Sequence, residues 1–297
     1  MTARLLEVDR ISRRFGTATA LDQVSFAARP GELFGLTGGR GAGKTTALRI
    51  TLGVQPADSG AVRFDGRPIR RGLFGYLPEE GGLQPRMRVL DQLVHLGRLH
   101  GLSTNDAHGS AERWLARLGL GPQRKAQIRK LGAEARHRVR LAAALVSDPV
   151  VLVLDEPFTG LDPAAVTATC EVLREKAAAG VPVVLSSRRL DLVERHCDRV
   201  GVLRAGRMLA MGTIAELTGG AGRRLTVTAP RARPGWSTAV PGVRVLAEHR
   251  ETTVLELSRG ADDQAVLAAA LATGPVTEFS HRLPSLAELF PDEVSAP

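Results

Sequence analysis

The feature that constrains the fold most strongly is a glycine-rich octapeptide that follows the short apolar run 33–36 and precedes a helical pattern over 46–52. Its spacing, G-x-x-x-x-G-K-[ST], places backbone N–H groups around phosphate oxygens and a helix N-terminus behind them. We therefore predict a site for ATP in which Lys44 reaches the β- and γ-phosphates and the Thr45 hydroxyl binds Mg²⁺. The predicted nucleotide-binding residues of this loop are Gly38, Gly39, Arg40, Gly41, Ala42, Gly43, Lys44, Thr45 and Thr46.

A second motif begins with the continuous apolar run 150–154, which is typical of a strand buried on both faces of a parallel sheet. The run ends at Asp155 and Glu156. A carboxylate at the end of a central strand beside a phosphate loop suits Mg²⁺, so we predict Asp155 as a metal ligand together with Thr45. The adjacent Glu156 can orient or deprotonate an attacking water. The alternative, two solvated acids at a strand end, is disfavoured by the phosphate loop upstream.

In this order and spacing, the loop, Asp155-Glu156-Pro157 and Gly160-Leu161-Asp162-Pro163 resemble the nucleotide-binding subunit of an ABC transporter. The resemblance covers roughly residues 1–218. It implies an ATPase that hydrolyses Mg·ATP and drives a separate membrane permease. It also implies a second ATP-binding subunit, in a homodimer or a heterodimer, and a cytoplasmic location, peripheral on the inner face of the cell membrane.

Two more positions take roles from this resemblance. Phe15 stands where the family places an aromatic residue that stacks on adenine, although packing in the core is the alternative. Glu79 stands at the family's glutamine position, where a carboxylate oxygen can hold Mg²⁺ or a water, so we predict it as a catalytic and metal residue. The surrounding Tyr76-Leu77-Pro78-Glu79-Glu80 is similar to a subgroup of bacterial exporters of sodium, drugs or antibiotics.

The family's signature motif, usually Leu-Ser-Gly-Gly-Gln, is altered in this chain to Leu131-Gly132-Ala133-Glu134-Ala135-Arg136. In the family's dimers this segment caps the γ-phosphate bound to the other subunit. In that position the Glu134 carboxylate would lie close to the phosphates. Two like charges about 4 Å apart repel by about 4 kcal/mol at an effective dielectric constant of about 20. Unless Arg136 folds inward to compensate, we expect either a weakened cap or a Glu134 that turns away.

The family's switch histidine is also altered, because Arg188 follows Ser186 and Ser187 where the family has Ser-Ser-His. Arginine stays protonated and can bind phosphate with two donors, but it cannot relay a proton. We predict Arg188 as a catalytic residue that contacts the γ-phosphate. The two departures leave open an alternative function, a catalytically degenerate regulatory partner in a heterodimeric ABC complex.

Composition limits the remaining functions. The chain has 297 residues, two cysteines and a net charge of +9, and only four of its 40 basic residues are lysines. Two cysteines predict neither a disulfide framework nor a metal site. No apolar run approaches the length of about 18 residues that a membrane helix needs. The basic residues show no aromatic interleaving, so we do not expect nucleic acid as a partner. A soluble ABC protein acting on ribosomes or DNA is a third interpretation, but such proteins usually carry two cassettes in one chain.

These observations predict an α/β fold: a P-loop NTPase (RecA-like) parallel sheet with an antiparallel β piece and a helical subdomain at about 80–146. The nucleotide-binding domain is expected over 1–218. The glycine-rich segment 219–224 predicts a linker. Alternating apolar residues and one helical pattern after it predict a small α+β C-terminal domain over 225–297.

Overall fold

The structure, a computed structural model, describes residues 5–69, 72, 74–219, 223–258 and 260–291. The chain divides into two compact units, the first reaching Gly212 and the second comprising Thr213–Pro291. The expected linker 219–224 falls partly outside the described residues, because 220–222 are not among them. The domain limits at 218 and 225 therefore stay a prediction.

The first unit opens with the predicted antiparallel β piece, a sheet of order β2-β1-β4-β5. Its alternating apolar residues, among them Leu6, Val8 and Phe26, face the core of the unit. The strands are β1 (Leu6–Phe15), β2 (Ala18–Ala28), β4 (Ser59–Phe64) and β5 (Arg67–Pro68). Between β2 and β4 the chain forms β3 (Leu33–Thr37) and α1 (Lys44–Thr51).

The central sheet of the first unit has six strands in the order β10-β9-β3-β8-β7-β6. The other strands are β6 (Phe74–Leu77), β7 (Val151–Leu154), β8 (Val183–Ser187), β9 (Arg199–Arg204) and β10 (Arg207–Thr213). Strand β3 pairs in parallel with β8 and β9, and β7 pairs in parallel with β6 and β8. The carboxyl ends of β3, β8, β7 and β6 therefore lie side by side at one edge of the sheet.

Helices connect these strands. The predicted helical subdomain consists of α2 (Val89–Leu99), α3 (Thr104–Arg117) and α4 (Ala133–Leu145), which pack against one another, and 3₁₀ turns at Gly121–Gln123 and Ile128–Lys130. Helix α3 begins at Thr104, because the preceding Ser103 is its N-cap and its hydroxyl accepts a hydrogen bond from the Asp106 N–H at 3.1 Å. Helices α5 (Pro163–Ala178) and α6 (Leu190–His196) flank β8 in the chain. No helix within the described residues combines the length and the apolar character that crossing a bilayer requires.

The second unit has the expected α+β composition. Its antiparallel sheet has the order β12-β13-β11-β14 and buries Leu225, Val227, Leu255 and Val266 in its own core. Its elements are α7 (Ile214–Gly219), β11 (Arg223–Thr228), β12 (Val243–His249), β13 (Thr252–Leu257), α8 (Asp263–Leu271), β14 (Glu278–Arg282) and α9 (Leu286–Leu289). The sequence did not predict β12, an edge strand without a buried residue.

Candidate functional site

The glycine-rich loop joins β3 to α1, and at two of its glycines there is no room for a side chain. Gly38 and Gly43 have positive φ angles, 148° and 103°. A Cβ at Gly38 would collide with the carbonyl oxygen of Leu203, and one at Gly43 would lie 2.6 Å from the carbonyl oxygen of Ala20. Only glycine lets the backbone approach its neighbours this closely and still turn into the helix.

Lys44, the first residue of α1, places its ammonium group inside this loop. Its side chain is only 7 % exposed, and Nζ donates to the carbonyl oxygens of Gly38 at 2.6 Å and Gly39 at 3.0 Å. Burial lowers the pKa of Lys44, while Glu156, whose Oε1 lies 3.9 Å from Nζ, acts in the opposite direction. A partly desolvated cation among carbonyl groups and carboxylates is well suited to an incoming anion.

Asp155 and Glu156 follow the buried strand β7, and a serine from β8 joins them. Asp155 is 1 % exposed. The Ser186 hydroxyl donates to Asp155 Oδ1 at 2.6 Å and accepts from the Glu156 N–H at 2.9 Å. This one hydroxyl fixes the two acids relative to each other. Sequence reasoning missed Ser186, although its position directly after the apolar run 183–185 was the available signal.

Glu156 is 7 % exposed and has a positive φ of 49°, which is uncommon for a residue with a side chain. Burial raises its pKa, against the opposing influence of the Arg188 N–H and of Lys44. A carboxylate with a raised pKa is a stronger base than a free glutamate, which suits a group that accepts a proton from water.

Arg188 follows β8, and its side chain bridges two carboxylates. Its Nη2 donates to Glu79 Oε1 at 3.0 Å, and its Nε lies 3.3 Å from Glu156 Oε1. Its backbone N–H donates to Glu156 Oε2 at 3.2 Å. Glu79 follows β6, so residues from four adjacent strand ends meet at one edge of the sheet.

These residues line an open cavity of about 580 Å³. The cavity contains the predicted site residues Arg40, Gly41, Lys44, Thr45, Glu79, Asp155, Glu156 and Arg188. The other predicted loop residues, Gly38, Gly39, Ala42, Gly43 and Thr46, form the loop and the first turn of α1 around it. Arg49 and Tyr76 also line it, and sequence reasoning had not selected them for the site.

Phe15 lies at the end of β1 and is 49 % exposed, so it is not part of the hydrophobic core. The Arg13 guanidinium carbon lies 5.1 Å from the centre of its ring. An exposed aromatic face is compatible with stacking on a base. Its contact with adenine stays a prediction.

The oxygen donors of the cavity fit Mg²⁺. The carboxylate of Asp155 and the hydroxyl of Thr45 both line it. Mg²⁺ in phosphate-binding sites is usually held by one or two protein oxygens together with phosphate oxygens and water. Within the part of the chain that the structure describes, no group of three or more His, Cys, Asp or Glu residues forms a metal cage. The one carboxylate and one hydroxyl at this cavity suit a metal that arrives with a nucleotide.

The altered signature lies at the N-terminus of α4. Gly132 is its N-cap, without a side-chain cap, and a Cβ there would point into open space. Glu134 pairs with Arg138 one turn later, at 3.1 Å, whereas Arg136 donates to the Leu131 carbonyl oxygen. The partner of Glu134 is thus Arg138, which sequence reasoning had not considered although the i,i+4 spacing was visible.

Comparison with known proteins gives matches over both units. A profile of the family described as ABC transporter matches residues 21–159, and one described as ATP-binding protein DrrA1-3-like, C-terminal domain, matches residues 212–294. The uncharacterized ABC transporter ATP-binding protein YhaQ of Bacillus subtilis is 30 % identical over 98 % of this chain and 99 % of its own. Nod factor export ATP-binding protein I of Paraburkholderia xenovorans is 36 % identical over 73 % of each chain. A solved structure described as the ATP binding subunit of an ABC transporter has a TM-score of 0.68 and 28 % identity, covering 73 % of this chain and 92 % of that chain.

Proposed function

Because this chain belongs to the ABC transporter family of ATP-binding proteins, we propose that it binds and hydrolyses Mg·ATP to drive a separate membrane permease in export. The observation that carries this proposal is the convergence of Lys44, Asp155 and Glu156 on one cavity at the carboxyl edge of the parallel sheet. A cation for phosphate, a carboxylate for a metal and a carboxylate for water are the groups that phosphoryl transfer to water needs.

Each group has a role in this proposal. The loop amides and Lys44 hold the phosphates, and Phe15 stacks on adenine. Asp155 and Thr45 hold Mg²⁺, which when bound neutralises phosphate charge. Glu156 orients the attacking water and accepts its proton, helped by its raised pKa. Arg188 contacts the γ-phosphate as a fixed cation.

Export is supported by the printed name of one relative. One relative is named for Nod factor export, and the profile over 212–294 is that of a DrrA1-3-like ATP-binding protein. ABC ATP-binding subunits work with membrane permeases and dimerise. We propose a permease for a drug, an antibiotic or an ion as the partner, with this chain on the inner face of the membrane. Co-purification with a polytopic membrane protein tests the partner, and recovery of the chain only with ribosomes or DNA contradicts it.

Calorimetry with Mg·ATP tests the nucleotide site. We expect saturable binding to the intact chain and its loss in Lys44→Ala, because the Lys44 ammonium lies in the loop's carbonyl cradle, where the phosphates are expected. Lys176→Ala is the matched control, since this lysine pairs with Asp148 away from the cavity. Absence of binding to folded protein at millimolar Mg·ATP would contradict the proposal.

Steady-state ATP turnover separates hydrolysis from the second candidate function, a degenerate regulatory partner. That alternative is favoured by Glu134 in the first turn of α4 and by Arg188 in place of histidine. For the hydrolysing subunit, Glu156→Gln should lower turnover by about 100-fold or more while ATP still binds. For the regulatory partner, turnover is near background and the substitution changes nothing measurable. The variant Glu171→Gln, which changes an exposed acid within α5, controls for the loss of a surface charge.

A further inference from the structure

Arg188 is held from two sides in this structure. Its Nε lies 3.3 Å from Oε1 of Glu156, and its Nη2 donates to Oε1 of Glu79 at 3.0 Å. The two contacts use two different nitrogens of one planar guanidinium, so the positions of both carboxylates restrict its orientation. The two ring nitrogens of a histidine point in opposite directions, so a histidine at 188 could not make the same two contacts.

The backbone of Glu79 is itself fixed. It follows β6, and its carbonyl oxygen accepts a hydrogen bond from Nη1 of Arg140 in α4 at 2.8 Å. Glu79 thus offers its carboxylate from an anchored position, although the side chains of Glu79 and Arg188 remain 39 % and 44 % exposed. An ion pair this exposed contributes little to stability. The main effect of the Glu79–Arg188 pair is therefore to place the guanidinium.

The local charges explain why a carboxylate suits position 79 here. Lys44 and Arg188 are two cations near Glu156, and the charge of Arg188 contributes to the lowered pKa of Lys44. With a neutral side chain at 79, Glu156 alone would neutralise Arg188. The guanidinium would then pair more closely with the group that must accept a proton. Glu79 supplies a second anion, which holds Nη2 of Arg188 and so weakens the pairing of the guanidinium with Glu156.

We propose that Glu79 is the positioning residue for Arg188 and that the two act as one charge-matched unit, with Glu79 serving this role instead of binding magnesium. This inference rests on the proposed hydrolysis of ATP. It predicts that the two side chains are coupled, so that losing either one removes what the pair contributes.

A double-mutant cycle on the full-length chain tests the pair. Glu79→Gln leaves Arg188 to Glu156 alone, and Arg188→His leaves Glu79 without its cation. We expect each single variant to lower kcat by about tenfold, and the double variant to stay within about threefold of the single ones instead of losing about a hundredfold. KM for Mg·ATP should change less than kcat, since the pair acts on the reacting group. Arg189→His with Asp191→Asn, the neighbouring surface ion pair, is the matched control cycle and should leave kcat unchanged.

The affinity of the site for a metal ion tests whether Glu79 binds magnesium. Electron paramagnetic resonance of Mn²⁺ with ATP should show equal metal affinity in the intact chain and in Glu79→Gln, and weaker affinity in Asp155→Asn. The inference would be overturned if the double variant lost about a hundredfold in kcat, the product of the two single losses. It would also be overturned if the affinity for Mn²⁺ fell in Glu79→Gln. If a single variant does not fold, Glu79→Asp and Arg188→Lys, which keep charge but shorten reach, replace it in the same cycle. Failure of the intact chain to bind Mg·ATP would instead overturn the proposed function.

Discussion

Burial shifts the pKa of individual residues of this chain. It is the largest cause of the lowered pKa of Lys44, the raised pKa of Glu156 and the lowered pKa of His137. All three directions favour the neutral form, because the interior solvates charge poorly. Lys44 and Glu156 lie close enough to oppose this effect in each other. For His137 the nearby charge is Arg140, which lowers the pKa further.

His137 should therefore make the fold sensitive to acid. It is 3 % exposed and its pKa falls from 6.5 to about 4 on folding. Between these values the unfolded chain binds a proton that the folded chain does not, so the free energy of unfolding decreases as pH falls through this range. From pH 7 to pH 5 we expect the intact chain to lose about 2 kcal/mol more than His137→Gln, which does not titrate.

Urea unfolding at the two pH values measures this difference. His95→Gln is a suitable control, because it changes a histidine of α2 and leaves the buried imidazole in place. Equal losses in the intact chain and in His137→Gln would show that the buried imidazole does not carry the acid sensitivity.

At the scale of an element, α4 combines two requirements in its first turn. Glu134 is favourable for the helix, because a carboxylate there interacts with the N-terminal dipole and pairs with Arg138. The same carboxylate is unfavourable for a phosphate if this end of the helix caps the nucleotide of a second subunit, as the family resemblance implies. Stability and turnover should then respond to it in opposite directions.

Glu134→Gln should separate these effects. We expect the free energy of unfolding to fall by up to about 1 kcal/mol, from the lost dipole and ion-pair interactions of an exposed side chain. ATP turnover should rise, because the carboxylate no longer repels the phosphates. Glu171→Gln, an exposed acid within α5, should change neither property strongly. Turnover that falls along with stability would indicate that Glu134 acts only through the helix.

At the scale of the whole molecule, all the candidate site residues lie in the first unit. The second unit has a separate core that includes Leu225, Leu255 and Val266. Units with their own cores can in principle fold alone. Nucleotide binding should therefore depend on the first unit only.

Truncation after Gly212 tests this independence. We expect the dissociation constant of Mg·ATP to stay within about threefold of that of the full chain, because the truncation removes no residue of the cavity. Calorimetry on the truncated chain, with Lys44→Ala in the same background as a control, measures it. A truncated chain that is folded by circular dichroism but binds more than about tenfold more weakly would contradict the expectation.

Local pattern was sufficient for much of the fold. The run of buried residues in β7 follows from its continuous apolar sequence, which involves residues a few positions apart. The loop around Lys44 was equally predictable, because its glycines and the following helix form one contiguous unit. Strand β12 was not, since its sheet position depends on pairing with β13 and not on a buried face of its own.

The sequence by itself determined which chemical groups this chain brings to a phosphate: the loop, Lys44 and the acids that follow a buried strand. Only the tertiary structure decided their partners. It joined Ser186 to Asp155 and Glu156, Arg138 to Glu134, and Arg188 to Glu79 across 109 residues. The physical reason is the sequence separation over which each interaction acts. Backbone preferences and periodicity are set by near neighbours in the chain, whereas the distance between two charges depends on the order of strands in the sheet, which no local pattern encodes.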